Sequence, residues 1–290
     1  MKCYLCPREC GADRENGQIG YCGVSDKIYV ARAALHMWEE PCISGEAGSG
    51  AVFFVGCSMR CIYCQNYSIS RGKGGREYSI EDLATCFVDL QNQGANNINL
   101  VTPTHYSLKI ADAIRIARKR GLIVPIVYNC SGYEKVNTLK QIEDVIDIYL
   151  TDFKYMESDM ARSFSNASNY SEIAKSALDE MVRQKPNVVF NSSGMMESGV
   201  IVRNLLLPGH VKNSKDVFKY VYDKYGDNVF ISIMNQYTPL EQMKNDKELS
   251  RKVTKREYNK LLDYVIECGA NNVYIQEGDV ADESFIPEFE

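Results

Sequence analysis

The sequence predicts an α/β protein built on a parallel sheet, and two observations carry that prediction. Apolar runs of strand length alternate with amphipathic stretches of helix length along the chain. One junction also occurs twice. Gly94-Ala-Asn-Asn-Ile-Asn-Leu100 and Gly269-Ala-Asn-Asn-Val-Tyr-Ile275 both read as helix end, glycine cap and strand. A barrel or partial barrel fits the number of strands. A doubly wound open sheet is the structural alternative.

The elements follow in order. Residues 51–56 form a continuous apolar run that feeds into a cysteine loop. A helix is expected at about 80–93 and a strand at 97–102. The next helix, about 107–120, places Ile110, Ile114 and Ala117 on one face, and Gly121 stops it. Strands are expected at 122–128 and 146–150, then a helical stretch at about 172–184. A strand at 200–207 is closed by Pro208 and Gly209. A helix at about 214–225 precedes a strand at 229–234. The last helix, about 254–268, sets Tyr258, Leu261, Leu262, Val265 and Ile266 on one stripe. Residues 1–48 read as a cysteine-rich extension, and 49–290 as the sheet-and-helix body with an acidic tail.

Composition bounds the function classes. The length of 290 residues allows one large domain or two ordinary ones. A hydrophobic share of 45% and a charged share of 24% exclude intrinsic disorder. The net charge of −5 argues against a nucleic-acid binder that works by bulk charge. The excess is local: Asp279, Asp282, Glu283, Glu288 and Glu290 lie after residue 277, and the rest of the chain is neutral. No run of eighteen apolar residues predicts a membrane span, and the N-terminus lacks a signal-peptide core. The expectation is a cytoplasmic protein without membrane or nucleic-acid partners.

Eleven cysteines are too many to ignore, and in a reducing compartment they do not make a disulfide framework. Eight lie in the first 64 residues, in two groups and one single. Cys3, Cys6, Cys10 and Cys22 are spaced x2, x3, x11. They suit a structural zinc, a rubredoxin-like iron or an auxiliary iron–sulfur cluster, held on a glycine- and proline-rich knuckle. Cys57, Cys61 and Cys64 are spaced x3, x2. Three thiolates leave one coordination position open, where a closed structural zinc takes four ligands. An iron–sulfur cube held by three cysteines leaves one iron free for an outside ligand. Of the rest, Cys42 and Cys130 fall near the expected pocket, while Cys86 and Cys268 read as helix core.

The loop Gly56-Cys57-Ser58-Met59-Arg60-Cys61-Ile62-Tyr63-Cys64-Gln65-Asn66, with its aromatic before the third cysteine, resembles the radical S-adenosylmethionine (SAM) superfamily. With Trp38-Glu39-Glu40-Pro41-Cys42 and Gly48–Phe54, it resembles the pyruvate formate-lyase activating enzyme-like proteins, in a subfamily with an extra N-terminal cysteine segment. The resemblance implies a partial (βα) barrel of about six parallel strands, a [4Fe–4S] cluster and SAM. It implies Cys57, Cys61 and Cys64 as cluster ligands, with Tyr63 and Asn66 toward the adenine. The family often has Gly-Gly-Glu after the second strand; Asn99-Leu-Val-Thr-Pro-Thr104 stands there, so Asn99, Thr102 or Thr104 would take the amino-group contact. Asn129 and Ser131 match a strand-end turn. Asp152 and Lys154 match an Asp-x-Lys strand end, with Lys154, or Arg203, pairing with the SAM carboxylate. Asn235, Gln236 and Tyr237 would line the far wall.

Each has a plainer reading. Asp152 and Lys154 suit a strand-end ion pair, although strand residues two apart point the same way. Arg203 suits a rim arginine, and Asn129 and Ser131 suit a turn. His105 and His210, in loops after strands, read as turn residues before proton donors, and His36 as structural. The functional expectation is hydrogen abstraction from a protein or peptide glycine, with a flavodoxin or ferredoxin as reductant. The alternatives are a small-molecule substrate or another peptide modification, and a non-catalytic electron-transfer or zinc-dependent interaction protein.

Overall fold

A computed structural model describes residues 2–276. The acidic tail lies outside them. Among the described residues ten strands form the sheet system: β1 (Ile28–His36), β2 (Ser49–Phe54), β3 (Arg76–Tyr78), β4 (Ile98–Val101), β5 (Ile126–Cys130), β6 (Ile148–Asp152), β7 (Val189–Phe190), β8 (Met196–Leu205), β9 (Phe230–Met234) and β10 (Val273–Ile275). The order is β10-β9-β8-β6-β5-β4-β2-β1-β3, with β7 pairing on β8. Every pairing from β2 to β10 along this path is parallel. Among the described residues the sheet runs from β3 to β10 without closing, an open, partial barrel.

Helices fill the crossovers, as parallel strands require. Ile80–Asn92, Ser107–Lys119, Tyr170–Gln184, Val211–Tyr225 and Lys255–Glu267 lie close to the expected spans. Two are started by capping boxes, Ser79 with Asp82 and Thr254 with Glu257. The repeated junction has one geometry in both places. Gly94 N–H returns to Gln91 O at 2.9 Å, and Gly269 N–H to Ile266 O at 3.0 Å. β5 starts at Ile126, later than the apolar run suggested. Pro125 has no N–H to give the ladder, and Gln91 Oε1 takes the amides of Ile123 and Val124 instead.

β1 pairs antiparallel with β2, His36 facing Ser49, so residues 28–36 belong to the same sheet as the body. The chain after β1 then turns in beneath the barrel. Cys42 and Ile43 pack with Val127, Ile148, Leu150, Met196 and Ile201 as an apolar plug. Period two sets what lies above the plug. Asn129 follows Val127, Asp152 follows Leu150, and Arg203 follows Ile201 on the inner face. The opposite face, with Leu100, Tyr128, Tyr149 and Val202, is covered by the helices and holds the main core. The barrel interior is thus layered: apolar below, polar in the middle, and the cysteine loop at the strand ends.

Candidate functional site

One cavity of about 450 Å3 occupies the interior and is lined by Cys57, Cys61, Cys64 and most of the expected residues. Tyr63, Asn66, Thr102, Asn129, Ser131, Asp152, Lys154, Arg203, Gln236 and Tyr237 all reach it. They come from the C-terminal ends of successive strands, where parallel barrels place their sites. Two expected SAM contacts are redirected, and the two loop histidines are engaged within the protein. Asn99 is fully buried and absent from the lining, and its Nδ2 donates to Glu39 Oε1 at 3.0 Å. Thr104 points away and donates to Glu134 at 2.7 Å. His105 is buried with Nε2 against Val55 O at 2.8 Å, and burial pushes its pKa down to about 3. His210 meets Glu248 at 3.0 Å.

Burial pushes the Cys57 thiol up, and proximity to Cys61 adds to it; Cys64 is raised to about 12 by burial, then by Cys61 and Cys57. At neutral pH such thiols stay protonated until a metal displaces the protons. Cys61 Sγ also accepts from Ser165 Oγ at 3.0 Å. Behind it the Tyr155 hydroxyl lies 2.7 Å from Ser165 Oγ and 2.6 Å from the Tyr63 hydroxyl. Nothing in local sequence pattern foretold this hydroxyl chain, because Ser165 is 104 residues from Cys61.

The middle layer is a knot of charges. Arg203 donates to Asp152 Oδ1 at 3.0 Å, to Glu39 Oε2 at 3.2 Å and to Asn129 Oδ1 at 2.6 Å. Its guanidinium is therefore spent on the protein itself. Lys154 Nζ lies 2.6 Å from Asp152 Oδ2. Burial alone would raise the Asp152 carboxyl, but the charges of Lys154 and Arg203 hold it below its usual range. Burial raises Glu39 and Glu40 despite the charge of Arg203. Glu39 was missed as a site residue. It stands 164 residues from Arg203, and only the plug fold carries it into the interior.

Gln236 joins the far wall to the cysteine loop: Gln65 Nε2 donates to its carbonyl at 3.0 Å. At the lip, Met37 and Trp38 are 43% and 62% exposed. Thr102 lines the cavity with φ +61°, rare for a β-branched residue, and its N–H donates to Asn129 O at 2.9 Å.

The family model of the radical SAM superfamily matches residues 51–196, half of the chain. The chain belongs to the radical SAM superfamily. This radical SAM chain is 26% identical over 282 residues to the uncharacterized protein MJ0674 of Methanocaldococcus jannaschii, a match covering 94% of this chain and 76% of that one. It is 25% identical over 126 residues to the pyruvate formate-lyase 1-activating enzyme of Escherichia coli, covering 41% of this chain and 50% of the enzyme. Among solved structures it resembles Streptococcus suis SuiB bound to precursor peptide SuiA, with a TM-score of 0.51 and 11% identity, over 77% of this chain and 47% of SuiB. The matched parts thus span about half of the activating enzyme and about half of SuiB. At that identity the likeness to SuiB concerns the fold.

The superfamily implies a [4Fe–4S] cluster and SAM, and the radical SAM loop here fits that group. Three sulfurs face one cavity. Among the described residues no three His, Cys, Asp or Glu side chains are grouped to hold a single ion. Ligands of one zinc lie within about 4 Å of each other, whereas each thiolate on a cube takes its own iron. Cys130 also touches the cavity, but its sulfur donates to Thr151 Oγ1 at 3.5 Å. Among the described residues, no helix of this radical SAM chain is long and apolar enough to cross a membrane.

Proposed function

We propose that this chain cleaves SAM reductively and abstracts a hydrogen atom from a glycine of a protein or peptide. The observation that carries the reading is the convergence of Cys57, Cys61 and Cys64 on one end of a cavity whose lip, Met37 and Trp38, is apolar and exposed. Such a lip suits a chain segment entering from a partner. The partial likeness to the activating enzyme supports the same substrate class.

When bound, the reduced cluster and SAM supply a 5′-deoxyadenosyl radical that takes the substrate hydrogen. The chain's own residues orient and enclose. Cys57, Cys61 and Cys64 hold the cluster, and the hydroxyl of Ser165 stabilises the Cys61 thiolate. Lys154, held by Asp152, presents a positive charge to the SAM carboxylate. Asn66 and the backbone around Tyr63 meet the adenine, and Ser131 and Asn129 meet the ribose and methionyl side. Thr102 takes the amino-group side, since Asn99 and Thr104 are engaged elsewhere. Gln236 closes the far wall. A flavodoxin or ferredoxin would supply the electron.

The highly polar middle layer favours a second reading, a small charged molecule seated over Glu39 and Arg203. The test is anaerobic reconstitution and a SAM cleavage assay, with electron paramagnetic resonance in the presence of candidate partner proteins. Cleavage with a glycyl doublet supports the first reading. Cleavage stimulated only by a metabolite supports the second. An intact cluster that never cleaves SAM sinks both.

A further inference from the structure

The hydroxyls of Ser165, Tyr155 and Tyr63 form a chain whose direction is dictated by the cysteine at its end. Ser165 Oγ lies 3.0 Å from Cys61 Sγ and 2.7 Å from the Tyr155 hydroxyl, which lies 2.6 Å from the Tyr63 hydroxyl. A thiolate that ligates metal carries no proton, so Ser165 must be the donor to it. A hydroxyl has one hydrogen to give. Ser165 gives its own to the sulfur and so accepts from Tyr155. Tyr155 gives its own to Ser165 and so accepts from Tyr63. All three bonds therefore run the same way, from Tyr63 toward Cys61.

Burial keeps this chain dry. Ser165 and Tyr155 are at most 1% exposed, and Tyr63 and Cys61 are buried with them. In such surroundings each donation polarises the next hydroxyl, and the last donor in line is strengthened. The neighbouring Cys57 Sγ is met differently, by a backbone donor, Met59 N–H, at 3.3 Å.

The donor is held against the loop on both sides of Cys61. Ser165 ends the helix Ser158–Ser165. Ile62 N–H donates to Phe164 O at 2.9 Å. Arg8 Nε donates to Ser58 O at 2.7 Å, Nη2 to Ser165 O at 3.0 Å, and Nη1 to Asn166 O. Arg8 comes from the segment of Cys3, Cys6, Cys10 and Cys22, four thiols that are not grouped to hold one ion. At the far end the Tyr63 ring stands edge-on to Phe164 and to Tyr237, each at 6.2 Å, and lines the cavity.

We propose that Ser165 sets the reduction potential of the cluster through Cys61, with Tyr155 and Tyr63 as positioning residues that polarise the serine. Hydrogen bonds to the ligating sulfurs are one of the levers on the potential of an iron–sulfur cluster. The donor draws charge from the thiolate and so favours the reduced, more negative state. No proton or atom moves along the chain. One electron comes from the external reductant, and the hydrogen bonds change only in strength. The proposal rests on the cluster reading of Cys57, Cys61 and Cys64 and is independent of the choice of substrate.

The test uses the full chain with its cluster reconstituted anaerobically and no SAM. Electron paramagnetic resonance during stepwise reduction with a low-potential reductant reads the midpoint potential. Ser165→Ala should lower the reduction equilibrium constant about tenfold, which is about 59 mV for one electron. Tyr155→Phe should shift it the same way by about threefold, and Tyr63→Phe by less, because each removes a donor one step further from the sulfur. Ser165→Thr keeps the hydroxyl and should keep the potential. A second readout needs no cluster. In the metal-free chain, denaturant melts of Tyr63→Phe, Tyr155→Phe and the double variant should be non-additive, by at least about threefold in the unfolding equilibrium constant. A full cluster with an unchanged potential in Ser165→Ala overturns the proposal alone. A wild-type chain that takes up no cluster overturns it together with the cluster reading. Should Ser165→Ala not load iron, Tyr155→Phe decides, and an unchanged potential there overturns the proposal. Additive melts would refute the part given to the tyrosines.

Discussion

Lys154 Nζ lies 2.6 Å from Asp152 Oδ2, and Asp152 Oδ1 is held by Arg203 at 3.0 Å. One carboxylate therefore bridges the cation that faces the thiols and the cation that ties the barrel together. The two ends of this bridge should separate on mutation. Lys154→Met leaves the Asp152–Arg203 pair intact, so stability should change little. SAM affinity should weaken about 10–100-fold, the loss of about 1.4–2.7 kcal/mol of charge-assisted contact. Asp152→Asn leaves buried Lys154 without its anion and Arg203 with Glu39 as its remaining carboxylate, and should cost about 3–5 kcal/mol of stability. Equilibrium SAM binding alongside denaturant melts reads both. Equal loss of affinity and stability in Lys154→Met would contradict the assignment.

Cys61→Ala should abolish SAM cleavage and the cluster signal, because a cube cannot keep its third iron without that thiolate. Cys130→Ala, whose sulfur faces Thr151, should keep both. Iron counting with the cleavage assay decides it, and full turnover by Cys61→Ala would show the cluster assignment to be wrong.

Arg8→Ala should loosen the catalytic loop without touching the cavity. It removes three charged donors to main-chain carbonyls and the stacking of the guanidinium 4.2 Å from the Tyr21 ring. A loss of about 2–3 kcal/mol is expected, together with faster loss of iron during gel filtration. Arg8→Lys should not restore it, since an ammonium cannot span three carbonyls. A melting temperature unchanged in Arg8→Ala would contradict the clamp.

Glu134 gives a pH signature. Burial pushes its carboxyl up to about 8, against hydrogen bonds from Thr104 and Tyr128 that pull it down. The folded state keeps a proton that the unfolded chain releases above about 4.5. Its stability contribution is therefore full below that pH and lost as pH rises toward 8, at up to about 1.4 kcal/mol per pH unit. Glu134→Gln should flatten the slope of stability across that window. Urea melts from pH 5 to 9 test it, and an unaltered slope would place the titration elsewhere.

Gly132→Ala should be among the costliest single changes. At φ +76° an added Cβ would fall 2.2 Å from Asp152 O, a backbone atom that cannot swing aside. Strain and clash together should exceed about 3 kcal/mol. Little change in the melt would show that the strand-end turn shifts easily.

Some of this was legible in the sequence for a local reason. Cys57, Cys61 and Cys64 must reach one cube from one short loop, so spacing alone announces them. Asp152 and Lys154 sit two apart at a strand end, and a period of two sends both to the same side. Helices with amphipathic stripes and the twin Gly-Ala-Asn-Asn joints marked the βα repeat. Pro125 blurred one boundary, because an apolar run does not reveal where ladder pairing can begin.

What tertiary structure alone decided lies between residues far apart in the chain. Glu39 meets Arg203 only because Cys42 and Ile43 plug the barrel floor. Ser165 meets Cys61 only because Arg8 and the barrel wall bring their loops together. Asn99 and Thr104 had the right chemistry and strand position, yet Glu39 and Glu134 took their side chains. Sequence spacing fixes which ligands share a loop; desolvation and long-range packing choose which polar groups must find each other once water is gone.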